Sequence, residues 1–386
     1  MKNFHKGIRR LCTVILGLVF FAAGILKLMD PVGARLVVDE YFKFFHAGWM
    51  EFASMPVAVG MALFEALTGA ALLAGVWRKW VALVTCVITL GFTLLTLILV
   101  IFNPEMDCGC FGEIVHLSHF QTFLKNIFLC ILCAGAFLPV RDFGGTRVSK
   151  IVAFGIAAVS VLAFSIYSLK ALPLVDFTEF APGLSLVNEE EDAVPAEHEY
   201  AVVYEKDGEE RSFTLSDLPD STWTFVRVDQ QDGSPALAEG SAPLLFISDA
   251  SGEYRNELLS QGRVMVLSIY DSDRYKRMDK AEKFLKDAAG AGFTAFALSR
   301  EYIPELDSYT SDFKKVITLN RSNGGVTYID NGEIIRKWPA SALPDSGEIS
   351  ETAASNPLDL MVRRNSGGSI AFEGFLIYSL AILLIL

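Results

Sequence analysis

Residues 80–112 read WVALVTCVITLGFTLLTLILVIFNPEMDCGCFG: 23 residues without a charge, then a short polar loop holding two cysteines one residue apart. A membrane crossing needs roughly 20 largely apolar residues, so the first part reads as a transmembrane helix. The loop that follows then lies at a membrane surface. Cys108-Gly109-Cys110 can close only a small, strained ring, and strained or exposed disulfides are the exchange-competent ones.

The rest of the chain extends this pattern. Of its 386 residues, 52% are apolar, which favours a membrane protein. Leu11–Leu26 and Ile151–Leu169 carry no charge; Phe52–Trp77 holds only Glu65, Phe120–Val140 only Lys125, and Ser369–Leu386 only Glu373. Together with residues 80–102 these predict six spans, the charged ones crossing with tilt or snorkelling. A basic start before an apolar core also fits a signal peptide. No small-residue cleavage site followed by soluble sequence is present, so the first segment is read as a span. Lys2, Lys6, Arg9, Arg10, then Arg78 and Lys79, then Arg141, Arg147 and Lys150 all fall on one side. The positive-inside rule makes that side cytoplasmic, against the contrary signal of Arg363 and Arg364. The Cys-Gly-Cys loop and residues 171–368 then face the periplasm of a bacterial inner membrane.

The expected organisation is a four-span domain over 1–140, a fifth span in 141–170, an acidic linker over 171–199, a soluble domain over 200–351, a linker over 352–368 and a last span over 369–386. Leu36–Trp49, aromatic and mixed, suits a helix lying in the interface. Residues 171–367 hold 35 acidic and 19 basic side chains, a net −16 that argues against nucleic acid as a partner. Tyr200–Glu205 and Arg211–Leu215 around Lys206-Asp207-Gly208 predict a hairpin. From Leu244 onward strand and helix patterns alternate: strands at Val264–Tyr270 and Phe293–Leu298, a helix at Asp279–Ala289, a polar helical stretch, then a hairpin of Val326–Ile329 and Glu333–Trp338. That β-α-β-α-β-β order predicts a small α/β domain and resembles a thioredoxin fold. Asp271–Lys276 stands where a redox thioredoxin has Cys-x-x-Cys, and Asn323-Gly324-Gly325 stands where its cis-proline would be. With no cysteine after Cys133, a catalytic thioredoxin is excluded and a binding or structural module is expected.

All six cysteines lie in the membrane half. Cys12 and Cys86 read as apolar helix filler. For Cys108 and Cys110 three readings stand: an exchanging redox pair, a stapled loop, and a metal site in which His116 and His119 complete two thiolates and two imidazoles suited to zinc or copper. Asp107 beside the pair disfavours a thiolate. Cys130 and Cys133, an i, i+3 pair on one helix face, read either as an inner dithiol trading electrons with the loop or as packing residues. Charges in a membrane are costly. Lys27 reads as a snorkelling side chain that could also pair with Glu65; proton relay or substrate contact by Glu65 is the weaker reading.

The first 140 residues resemble the MauE/DoxX group of redox-associated membrane proteins. The resemblance is carried by Gly17 to Gly24 and Lys27, Asp30-Pro31, Phe64-Glu65 with Gly69 and Gly75, and most specifically by Asp107–Gly112 followed by Thr122–Asn126. The remainder resembles an extended, Bacteroidetes-type version with an acidic outer domain and a last span, through Leu172–Phe177, Asp220–Trp223 and Arg321–Asn323. Two departures stand out: such proteins have proline where Gly324 stands, and a basic tail after the last span. Leu386 lies inside apolar sequence, leaving open an incomplete C-terminus. The resemblance implies thiol or sulfur redox at the outer membrane face. MauE is associated with maturation of methylamine dehydrogenase, and DoxX-type subunits with thiosulfate oxidation by quinone. The expectation is a disulfide relay or accessory factor for periplasmic proteins, acting through Cys108 and Cys110, with quinone as a candidate electron acceptor. The alternative is a membrane-anchored scaffold whose outer domain binds a periplasmic protein.

Overall fold

The computed structural model describes residues 2–104, 106, 108–113, 117–138, 144–186, 200–206, 209–214, 224–230 and 245–386. The chain divides into two compact units, Ser185–Leu244 and the remainder. In the larger unit the helices are α1 (Lys2–Met29), α2 (Pro31–Phe44), α3 (Ser54–Ala74, after a 3-10 turn at Gly48–Ala53), α4 (Arg78–Phe102), α5 (His119–Phe137) and α6 (Val148–Ser168). A short strand, β1 (Cys110–Glu113), lies between α4 and α5. Among the described residues five helical stretches, 6–29, 48–74, 78–102, 119–137 and 148–168, are long and apolar enough to cross a membrane. For the sixth expected span, 369–386, the structure shows an apolar helical stretch at Ala371–Ile385.

The bundle is built on contacts between small residues. A Cβ added to Gly24 would lie well inside 3.0 Å of the Ala66 backbone, and one on Gly69 equally close to the Phe21 backbone. The backbones of α1 and α3 therefore touch, the arrangement small residues allow where lipid supplies no hydrophobic drive. Along α4, Thr85, Thr89 and Thr93 each donate to the carbonyl four residues back at 2.7 Å. Satisfied in this way, the buried hydroxyls turn toward α5 at little cost.

Helix α2 begins five residues before the expected interfacial helix and stops at Phe44. The reason is local. Pro31 occupies the first turn, where a missing N–H is harmless, and the Asp30 carboxylate accepts from the Gly33 N–H at 2.9 Å. His46 takes a positive φ of 56° just beyond the end.

In the smaller unit β2 (Tyr200–Lys206), β3 (Glu209–Thr214) and β4 (Thr224–Gln230) form an antiparallel sheet in the order β3-β2-β4. The expected hairpin is its β2–β3 pair. The larger unit resumes with α7 (Glu257–Ser260), β5 (Arg263–Ile269), α8 (Met278–Gly290), β6 (Thr294–Ser299), β7 (Ser308–Thr310), α9 (Phe313–Leu319), β8 (Gly325–Asp330) and β9 (Glu333–Trp338). A 3-10 turn at Ala340–Ala342, α10 (Ser346–Ala354) and α11 (Pro357–Ile385) complete it. The mixed sheet runs β7-β6-β5-β8-β9, with β5 parallel to β6 and antiparallel to β8. Strand β5 is buried along almost its whole length. Helix α8 turns Ala281, Phe284, Leu285 and Ala288 into the same core, the i, i+3, i+4, i+7 pattern of an amphipathic helix.

The Asn323-Gly324 turn is knitted to the loop after β5. The Asp271 N–H donates to Asn323 Oδ1 at 3.1 Å, and Asn323 Nδ2 donates back to the Asp271 carbonyl at 2.9 Å. Gly324 has φ 83°, and a Cβ there would collide with the Tyr275 ring. Glycine is therefore required at this position.

Candidate functional site

At one end of the bundle α1, α2, α3, α4, α5 and the Cys108–Cys110 loop enclose a cavity of about 90 Å³. Most of its wall is apolar, from residues such as Phe20, Val38 and Leu95; Lys27, Glu65, Lys125 and Asn126 supply polar groups, and Cys108 and Cys110 close one side.

The α1–α3 seam sets the first of these groups. Gly24 lies one turn before Lys27, and Ala66 follows Glu65, so the closest backbone approach carries the two charged side chains together. Lys27 Nζ bonds both Glu65 oxygens, at 2.6 and 2.8 Å, and both side chains are nearly buried. Snorkelling therefore does not describe Lys27: it is fixed by a bidentate partner, 5.8 Å from the Phe92 ring centre. Breaking such a pair strands a buried charge, at a cost of about 3–5 kcal/mol. Beside the pair, Asn126 Nδ2 donates to the Phe92 carbonyl and to Thr96 Oγ1, both at 3.2 Å.

The cysteine loop closes the cavity through two glycines with positive φ, Gly109 at 60° and Gly112 at 63°. A Cβ on Gly109 would lie 2.5 Å from Val37 Cγ1, so the loop lies directly on α2. Tyr41 of α2 donates its hydroxyl to the Cys108 carbonyl at 3.2 Å. Burial, with the two cysteines beside it, pushes the Tyr41 phenol well above its ordinary value, which keeps this donor protonated.

Cys108 Sγ lies 3.0 Å from Nδ1 of His119, the first residue of α5. The other ring nitrogen, Nε2, is 2.8 Å from the Pro104 carbonyl. A carbonyl only accepts, so Nε2 carries the proton and, in the neutral ring, Nδ1 faces the sulfur as an acceptor. Ser118 caps α5 through a reciprocal capping box with Gln121, which fixes where the imidazole emerges. Cys108 is buried and Cys110 partly buried.

Cys108, Cys110, Glu65 and Lys27 thus share one cavity, and His119 joins them as the thiol's partner. Cys130 and Cys133 lie elsewhere, on the α4–α5 interface. Cys130 Sγ is 3.3 Å from Thr93 Oγ1, Cys133 Sγ is 3.7 Å from Thr89 Oγ1, and Cys86 packs in the same cluster. His116 and Asp107 lie outside the described residues. Among the described residues no three of His, Cys, Asp and Glu converge as a metal-holding group. Sequence reasoning passed over Tyr41, Thr96 and Pro104, whose roles depend on contacts with chain far from them.

Helix α2 has a second neighbour. On its far side Arg35 lines a cleft with Tyr270–Arg274, the loop that follows β5. Glu40 pairs with Lys314 of α9, and Asp30 pairs with Arg321 at 3.1 Å. Asp39, bonded by Ser54 and near Arg35, has its carboxyl raised by burial despite both partners. Beyond the end of α6, Asp176 meets the buried Lys337 at 2.6 Å.

Comparison with known families fits this division. Residues 198–231, the β2–β4 sheet, match a domain of unknown function (DUF8463). No curated protein and no solved structure matches the chain. Residues 6–139, which hold α1 to α5 and every wall of the cavity, match the family described as methylamine utilisation protein MauE, so the bundle is similar to that of MauE-type membrane proteins.

Proposed function

We propose that this chain is a thiol–disulfide relay factor of the bacterial inner membrane, with its N-terminus cytoplasmic and residues 171–368 periplasmic. The observation that carries the reading is the contact of Cys108 with the Nδ1 of His119 at 3.0 Å, at the rim of a cavity that also holds Cys110 and the Lys27–Glu65 pair. An imidazole poised to take the thiol proton activates a nucleophilic sulfur. In the oxidised state a client thiolate attacks the less buried Cys110. Cys108 leaves as the thiolate and recovers a proton through His119. The second client thiol then displaces Cys110, so two electrons and two protons pass from client to chain.

A quinone, as electron-accepting substrate, takes up two electrons and two protons. The wall's chemistry suits such a ring, mostly apolar with the Lys27 ammonium as a donor, since its two bonds to Glu65 use two of its three protons. Its present volume is below the ~150 Å³ that admits benzene, so side chains of α2 must give way for a ring to fit. The mixed-sheet order, with β5 central and no cysteine near it, supports a thioredoxin-like domain that binds rather than reacts. By its likeness to MauE the client is a periplasmic protein under maturation, in the manner of the methylamine-oxidising system.

The second reading, a scaffold with a stapled loop, is favoured by the docking of the cysteine-free domain on α2. Acid quench and thiol alkylation of cells, before and after a pulse of reductant, separates the two. A mixed population of Cys108 and Cys110 that re-oxidises within minutes, and fails to do so in His119→Ala, supports the relay. A pair locked oxidised through the pulse leaves the scaffold.

A further inference from the structure

The end of the bundle opposite the cysteines holds a second, larger recess, of about 720 Å³. Six cations surround it: Lys6, Arg9 and Arg10 from α1, Arg78 from α4, and Arg147 and Lys150 from the start of α6. Among the described residues no carboxylate lines it. The Lys150 ammonium reaches inward, so that a Cβ on Gly75 would lie 2.9 Å from Nζ.

Two helices also begin here. Neither α4 nor α6 has a side-chain cap or an acidic residue in its first turn. Their positive dipole ends add to the side-chain charge. A positive-inside bias accounts for basic residues on this face of a membrane protein. It does not require them to ring a recess drawn from separate helices. Cations held this close repel one another, and an anion between them removes that cost.

We propose that this recess is a binding site for a phosphoryl anion, with two phosphates' worth of oxygens matched to the guanidinium groups. Val14, Leu72 and Val81, from the membrane-spanning helices, add apolar lining beside the cations. The same chemistry is therefore supplied by an anionic phospholipid headgroup with its chains in the membrane or by a free diphosphate. The site is independent of the thiol reading.

The test uses the purified full-length protein in neutral maltoside micelles, titrated separately with cardiolipin and with inorganic pyrophosphate and followed by native mass spectrometry and thermal shift. Saturable binding with a rise in Tm is expected, weakened about tenfold or more in Arg9→Gln/Arg147→Gln, since charge-assisted bonds are lost. Binding of cardiolipin alone assigns the ligand as lipid; binding of pyrophosphate assigns the phosphoryl group without chains. Val14→Trp keeps every charge, and so the topology signal, while filling the recess, and it should weaken binding as strongly. The proposal is overturned if neither probe saturates, or if Val14→Trp binds as the parent does.

Discussion

At the scale of single residues, the Lys27–Glu65 pair makes a sharp prediction. Glu65→Gln leaves an ammonium nearly buried without its carboxylate, and should lower bundle stability by about 3–5 kcal/mol. The double variant Lys27→Met/Glu65→Leu, which removes both charges, should recover most of that loss. Thermal unfolding in detergent reads both, and a double variant no better than the single would show that the pair is not the cause. Gly109→Ala is a second case: with φ 60° and Val37 in the way, it should displace the loop and slow re-oxidation of Cys108. Val37→Ala should restore part of the rate, since it removes the collision but not the backbone strain. The cysteine loop was legible in the sequence because its glycines and thiols are adjacent. The role of His119 was not. In sequence it is one member of a metal-like spacing, and only the Pro104 carbonyl against Nε2 decides which nitrogen meets the sulfur.

Among the elements, α2 decides most. Its start was written in Asp30-Pro31, yet the aromatic residues up to Trp49 drew the expected helix too far along the chain. Strand β7, three residues long, is too short to show a period of two. Helix α10 is short and polar, and its Trp338–Glu348 hydrogen bond at 2.9 Å joins it to a strand the sequence cannot place beside it. The α1–α3 seam, by contrast, was present as glycines whose purpose, backbone contact, needed the partner helix. An α2 prediction follows from its position between the cavity and the α/β domain. Arg321→Ala removes the partner of Asp30 and exposes the domain contact. Limited proteolysis should then cut the segments flanking the α/β domain sooner than in the parent, while the α1–α3 pair stays protected.

Over the whole molecule, the α/β domain is fastened to the membrane-side segment by ionic contacts whose pH dependence has a definite sign. Burial alone would raise the Asp176 carboxyl, but the Lys337 ammonium and the Thr178 hydrogen bonds outweigh it and hold the group below its ordinary value. A lowered acid contributes stability that is complete above its unfolded value of ~3.9 and is lost as pH falls through the folded one. The domain should therefore loosen below about pH 4, measured as faster amide exchange in β9. Asp176→Asn should remove that acid-dependent step; an unchanged acid limb would assign it to other carboxylates. The apolar helices of the bundle and the α/β order were both visible in residue patterns. The separate β2–β4 unit was only half visible, because β4 pairs with β2 rather than with its chain neighbour β3, and no hairpin signal announces that pairing.

The wedged position of α2 has a thermodynamic corollary. Its Val37 and Tyr41 face the thiol loop and cavity, while its Glu40 meets the α/β domain. If occupancy on one side shifts this helix, reciprocity requires that occupancy on the other be changed by the same factor. A ligand's affinity for the α/β domain would then differ between the reduced and oxidised states of Cys108 and Cys110, and its binding would shift the redox balance of that pair in return.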